Sequence, residues 1–331
     1  MNCSAERAFA LAHGPFKIAK IPMRGQPKIV AELALYAEHD FVSKSLSFDE
    51  RAFEQKELRA VGGLLKPQTV LLDVGANVGW WTFNFATTHA VHSFEPNQGN
   101  LALQALSRCL NPDLARRITI YPVGLYHKEP ARCALYSLPR NLGNTHTLCG
   151  TVEEIEAKVK QNRSLELLDS DEMHILDSLV PPWFFGSDNF RGSTEMRTLD
   201  SLVPPWLFHA DKIVKLDVEG FEHVALMGGT RLLTTGLPPR ALFVEVAFYQ
   251  GSKRRNLYRF LEQYGYDPVR LVNANMLFLH SAQRAKHAYH GPHGSASKMC
   301  SNYCAFHRPP RCNVTCGLQK LQDCCFWWNQ S

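Results

Sequence analysis

Long apolar runs are absent from this 331-residue chain; none reaches 18 residues, so no membrane-spanning helix is expected. Residues 1–20 hold no continuous apolar stretch of the kind a secretory leader carries, and no signal peptide is expected there. Charge is modest at 20% and unevenly placed. Residues 251–331 carry 11 Lys/Arg against 3 Asp/Glu, while the remainder is slightly acidic. That basic end suits anionic partners or a membrane surface. It comes without a nucleic-acid motif or interleaved aromatic stacking positions, so no nucleic-acid partner is expected. A third glycine is also missing from the turn Gly75-Ala76-Asn77-Val78-Gly79. Dinucleotide folds use Gly-x-Gly-x-x-Gly to bring the backbone against a pyrophosphate, and this turn argues against that ligand.

What the turn does have is a setting. Leu71-Leu72-Asp73-Val74 reads as a buried strand, followed by the glycines and by a helix beginning near Trp80. Glu95 closes the next strand as Phe94-Glu95-Pro96 and can accept a ribose diol. An acidic residue just before the turn suits an ammonium group, and a helix N-terminus suits a carboxylate. S-adenosylmethionine carries all three groups. Asp73, Gly75, Ala76, Asn77, Gly79, Glu95 and Pro96 are therefore the candidate cofactor residues. A nicotinamide enzyme and an inactive binding protein on the same fold are the alternatives.

A second segment, Lys215-Leu216-Asp217-Val218-Glu219-Gly220-Phe221-Glu222-His223, again ends a strand in Asp and crowds three carboxylates together. Such crowding is costly without cations, donors or water. Asp217, Glu219 and Glu245 are the candidate catalytic residues, with a divalent cation as an option and no metal ligand assigned. Glu222, His223 and Trp81 are acceptor-side candidates. Glu222 and His223 also read as ordinary first-turn helix residues.

Asp73–Gly79, Phe94-Glu95-Pro96, Thr198-Leu199-Asp200-Ser201-Leu202 and Lys215–Glu222, in this order and spacing and followed by Val244-Glu245, resemble the FkbM-type methyltransferases. The similarity covers residues 36–282. It implies S-adenosylmethionine-dependent transfer, usually to a hydroxyl of a sugar or other small metabolite, so the expected partner is a small-molecule or glycan acceptor.

The expected fold is α/β, Rossmann-like and doubly wound. A mostly parallel seven-stranded sheet ends in a late antiparallel hairpin, 267–272 and 275–280. Residues 1–66 are expected as a helical extension, with 28–66 largely helical. Residues 67–282 form the main domain, and 283–331 a basic Cys-rich tail. Strands are expected at 69–74, 90–94, 118–123, 132–138, 212–217 and 241–247, with helices at 79–88, 98–110, 220–234 and 253–264.

Residues 143–197 read as an insertion. Within it Leu176–Phe185 matches Leu199–Phe208 at nine of ten positions. The second copy falls where the resemblance places a strand; the first is a looped-out duplication or a lid. Cys300, Cys304, Cys312, Cys316, Cys324 and Cys325 suggest disulfides or zinc in the tail. Cys3, Cys109, Cys133 and Cys149 are expected reduced or buried. Sequons at Asn2, Asn162, Asn313 and Asn329 are compatible with a secretory compartment, with the cytoplasm as alternative. Oligomeric state has no sequence signal.

Overall fold

The computed structural model describes residues 2–23, 26–49, 53–129, 131–138, 141–149 and 190–284. The first repeat copy, the acidic runs, three of the four sequons and the Cys-rich tail lie outside these residues.

The N-terminal region departs from the helical expectation. After α1 (Ser4–Ala12) come β1 (Phe16–Met23) and β2 (Gln26–Tyr36), an antiparallel hairpin, and only then α2 (Phe41–Asp49) and α3 (Gln55–Gly62). The run Ile29-Val30-Ala31-Glu32-Leu33-Ala34-Leu35 has good helix formers, but pairing overrides propensity. Lys20 lies opposite Glu32, 3.4 Å apart, and Ala31, Leu33 and Leu35 are fully buried. These residues share one core with the main sheet and are not a separate extension.

That sheet begins with β3 (Val70–Val74), followed by α4 (Trp80–Ala86), β4 (Val91–Phe94), α5 (Gln98–Leu110), α6 (Pro112–Ala115) and β5 (Ile118–Tyr121). Asn97 caps α5 by accepting from the Gly99 N–H at 2.8 Å. A second, four-stranded sheet comprises β6 (Gly124–Leu125), β7 (Ala131–Leu138), β8 (Asn141–Cys149) and β9 (Phe190–Arg197). Both ends of the expected insertion are thus strands.

The second repeat copy forms α7 (Leu199–Leu202) and a 3-10 turn (Pro205–His209), correcting the strand expected there. Pro204 and Pro205 have no N–H to give a ladder. Asp200 accepts from the N–H groups of Arg231 and Leu232, both at 2.8 Å.

β10 (Lys212–Leu216) returns to the main sheet, followed by α8 (Glu222–Met227), α9 (Thr230–Thr234), β11 (Ala241–Glu245), α10 (Gly251–Gln263), β12 (Tyr266–Val272), β13 (Asn275–His280) and α11 (Ser281–Arg284). The single helix expected over 220–234 is two, divided at Gly228-Gly229. The main sheet runs β12-β13-β11-β10-β3-β4-β5, and β13 is antiparallel to both neighbours. Its central strands are buried on both faces and mainly apolar, although β3 includes Asp73 and β10 includes Lys212 and Lys215. Leu71, Val91, Ile213 and Phe243 fill one core; Leu72, Val74, Val214, Leu216, Leu242 and Val244 fill the other. Each such side chain contributes about 1.5–3 kcal/mol by leaving water.

The chain runs outward from β3 to β5 and then re-enters beside β3 as β10. The switch point therefore lies between β3 and β10, where such sheets hold ligands at their carboxyl ends.

The four scattered cysteines are not reduced. Cys3 is bonded to Cys109, tying α1 to α5, and Cys133 to Cys149, joining β7 to β8. Spacing of 106 and 16 residues gave no sequence cue to either pair. The longer loop removes more unfolded-state freedom. Cys3→Ser is expected to lower stability by about 2–5 kcal/mol. Denaturant unfolding checks this, and an unchanged midpoint would refute it.

Candidate active site

A cavity of about 240 Å³ opens at the switch point. Its first wall is the turn after β3. Gly75 at φ +77° lets the N–H groups of Gly75 and Ala76 both reach the Phe94 carbonyl, at 3.0 and 3.1 Å. Asn77 sits at φ +54°, an uncommon conformation for a residue with a side chain, which here caps the Val78 N–H at 2.7 Å. Glu95, from the end of β4, is buried and accepts from the N–H groups of Asn77 at 2.7 Å and Asn97 at 2.8 Å. Burial pushes its carboxyl up to about 7, against the pull of those N–H donors. Asn100 also hydrogen-bonds this carboxyl, which retains acceptor capacity for a ligand hydroxyl. Ala76, Asn77, Glu95 and Pro96 line the cavity with Gly75.

Two expected cofactor residues sit elsewhere. Asp73 is fully buried and off the cavity wall; it accepts from Thr82 Oγ1 at 2.7 Å and pairs with Lys215 at 3.3 Å. The chain's own cation therefore takes the place foreseen for the ligand's ammonium. Gly79 opens α4 and is also off the wall; a Cβ there would meet Phe83 at 3.0 Å.

The second wall follows β10 and β11. Asp217, Glu219 and Glu245 bring carboxylate oxygens within 4.8 Å of one another. Burial, reinforced by the neighbouring carboxylates, raises both Glu219 and Glu245 above the usual carboxylate range. Glu219 is held at φ +56°. The turn that holds it is closed by Glu222, whose Oε1 accepts from the N–H groups of Val218 at 2.9 Å and Gly220 at 3.2 Å. Glu222 is fully buried and absent from the cavity wall, so it is a turn clamp, not an acceptor contact. His223 also lies off the wall; its N–H donates to the Tyr249 hydroxyl and its ring packs edge-on against Phe260. Trp81 does line the cavity, packed against Phe85 and Phe243.

The structure adds residues that motif reading missed. Lys215 is 4% exposed and lines the cavity; alternation from Asp217 put it on the same strand face, a readable cue. Glu54, at φ +49°, accepts from Trp81 Nε1 at 2.8 Å and had no sequence cue. Three of the five non-glycine residues with positive φ among the described residues, Glu54, Asn77 and Glu219, line this one cavity, a concentration typical of functional sites. From the second sheet, Gly143, Asn144, Thr145 and Thr147 close the roof. Gly143 donates to Asp40 at 2.8 Å and accepts from Asn100 Nδ2 at 2.8 Å. A Cβ there would lie 2.7 Å from Asn77 Oδ1, so the roof rests directly on the glycine turn after β3.

Burial, with Asp217 adding to it, raises Glu54 from 4.5 to about 8 although Lys215 opposes the shift. A carboxyl raised on folding binds its proton more tightly in the native state, so its contribution to stability falls as pH climbs from about 4.5 to about 8. The Trp81 emission is expected to titrate near pH 8 and to lose that step in Glu54→Gln. An identical titration in the variant would sink the assignment.

The FkbM methyltransferase domain matches residues 73–268, more than half of the chain. The chain belongs to this family. The FkbM domain covers both cavity walls, and the family implies S-adenosylmethionine as cofactor and a methyltransferase activity. Nothing in that match supports the nicotinamide alternative. No curated protein matches the sequence. Among solved structures, a TehB-like SAM-dependent methyltransferase from Corynebacterium glutamicum aligns with a TM-score of 0.32 at 9% identity, over 72% of this chain and 100% of that one. Precorrin 8w decarboxylase from Methanobacterium thermoautotrophicum aligns at 0.32 and 11% identity, over 69% and 89%. Likeness at this level carries no information about acceptor or mechanism.

The cavity fits the cofactor by its own chemistry. A glycine turn, a buried carboxyl with acceptor capacity and the Asp217 carboxylate meet at one switch point, which suits a ribose diol and a cationic sulfur.

Proposed function

We propose that this FkbM-family protein methylates a hydroxyl oxygen of a sugar or other small metabolite. The observation that carries the reading is the convergence of Asp217, Glu219 and Glu245 in the cavity that also holds the cofactor turn. Bound S-adenosylmethionine supplies a methyl group on a positively charged sulfur. An acceptor hydroxyl must lose its proton as its oxygen gains that methyl, which calls for a base. Asp217 is the proposed base, a reading supported by its position on the cavity wall and by the Lys215 ammonium 3.6 Å away. In their protonated forms, favoured by burial, Glu219 and Glu245 can donate hydrogen bonds to neighbouring acceptor oxygens, which suits a polyol.

A second reading has the same trio hold a divalent cation, whose preferred ligands are hard oxygens. Magnesium or manganese titration separates the two. A requirement for the ion in turnover favours the cation, and full turnover in chelator removes it.

Calorimetric titration with S-adenosylmethionine, S-adenosylhomocysteine and NAD tests the cofactor assignment. Binding of the first two is expected, weakened about tenfold or more by Glu95→Ala. A folded protein that binds neither would favour the inactive alternative.

The reading extends to an oxidising, secretory location, supported by the two disulfides. Expression in eukaryotic cells followed by enzymatic deglycosylation checks it. A mobility shift supports the placement; unglycosylated protein with free thiols at all four positions counts against it.

A further inference from the structure

Lys215 is the only basic residue lining the cavity among the described residues, and it is 4% exposed. Its position follows from sheet geometry. β10 and β3 are parallel neighbours with Lys215 in register with Asp73, so the two side chains project on one face side by side. Asp217, two residues on, shares that face. The ammonium donates to the Gly75 carbonyl at 2.8 Å and lies 3.3 Å from Asp73 and 3.6 Å from Asp217. The ammonium thus makes one hydrogen bond, to the turn after β3, and two ion pairs, with Asp73 and with Asp217. The Trp81 ring, 5.9 Å from the nitrogen, closes another side.

A counter-ion for Asp73 alone would need neither of the other contacts. Its shortest contact is to the cofactor turn and its outermost to the acceptor-side carboxylate. We propose that Lys215 is a positioning residue, tying the Asp217 carboxylate to the cofactor turn through Gly75 so that one side chain sets the distance between proton acceptor and methyl donor. The inference rests on the methyl-transfer reading above.

The test is calorimetric binding of S-adenosylmethionine and S-adenosylhomocysteine to the full chain, with melting temperature as the control for folding. Lys215→Met alone would strand the buried Asp73 charge, so the informative variant is Asp73→Asn/Lys215→Met, which removes both charges together. Asp73→Asn/Lys215→Gln, which keeps a donor for the Gly75 carbonyl, stands in if the first does not fold. Asp217→Asn is the comparator.

A carboxylate held on the wall favours the cationic cofactor over the neutral product. The ratio of the two affinities is therefore expected to shift against S-adenosylmethionine by about tenfold in Asp217→Asn and in the double variant, with near-native melting. The double variant removes one charge of each sign and keeps Asp217, so with Asp217 still in position the ratio would hold or move toward S-adenosylmethionine. If the wild type binds both ligands and Asp217→Asn shifts the ratio while the double variant leaves it unchanged or moves it toward S-adenosylmethionine, Lys215 is only a counter-ion and the inference falls alone. An unchanged ratio in Asp217→Asn puts that carboxylate out of the cofactor's reach and also overturns the inference. If the folded wild type binds neither, the methyl-transfer reading falls and takes the inference with it.

Discussion

Alanine at Gly75 is expected to abolish cofactor binding and to cost about 2–5 kcal/mol of stability. Two independent penalties meet at this residue. The first is conformational, because φ is +77° and a Cβ there strains the backbone by about 1–2 kcal/mol. The second is steric. The added carbon would fall 1.7 Å from the Asp217 carbonyl oxygen and 2.7 Å from its carbon, both backbone atoms that cannot swing aside. Relief requires the β3 turn and the β10 turn to separate, which adds roughly 1–3 kcal/mol in a packed region. That separation would also break the Lys215 contact to the Gly75 carbonyl and shift the N–H groups that hold Glu95. Thermal unfolding and calorimetry check both parts. An alanine variant that melts and binds like the parent would show that the two turns do not meet as described.

Asp217→Asn is expected to reduce turnover by about 10²–10⁴-fold while leaving the protein folded. The amide keeps the volume and one acceptor oxygen but cannot take a proton from the acceptor hydroxyl. A loss of that size is about 3–5 kcal/mol of barrier. Asp217 is 28% exposed, so losing its ion pair with Lys215 is a minor matter for stability. The decisive comparison is turnover against S-adenosylhomocysteine affinity, once an acceptor is in hand. Unchanged turnover would exclude Asp217 as the base. Turnover and affinity falling together would instead make it part of the cofactor site.

Much of the cavity was legible in the chain because its walls are made by short, contiguous segments. A strand, a glycine turn and a helix start are local events, and Gly75 to Gly79 and Lys215 to Glu222 each specify one. Strands such as Val70–Val74, aliphatic at four of five positions, likewise announce burial on both faces. What local reading misjudged were roles that depend on which segment lies alongside. Asp73 looked like a ligand contact until Lys215 was seen in register with it. Glu222 looked like an acceptor contact, yet its carboxylate folds back on the Val218 and Gly220 N–H groups. Glu54 reaches Trp81 across 27 residues, and its neighbours in sequence give no pattern.

The chain's local order alone determined the α/β class, the buried strands and the two carboxylate-bearing turns, because hydrophobic periodicity and turn chemistry act over a few residues. Tertiary structure decided the rest. It turned an alanine- and leucine-rich run into a hairpin, paired cysteines 106 residues apart and laid the second sheet over the cofactor turn. It also chose, from a crowd of acids, the one that stands beside a buried lysine. Those outcomes depend on which surfaces meet across the sheet, and contacts between distant segments leave no local signature in the order of residues.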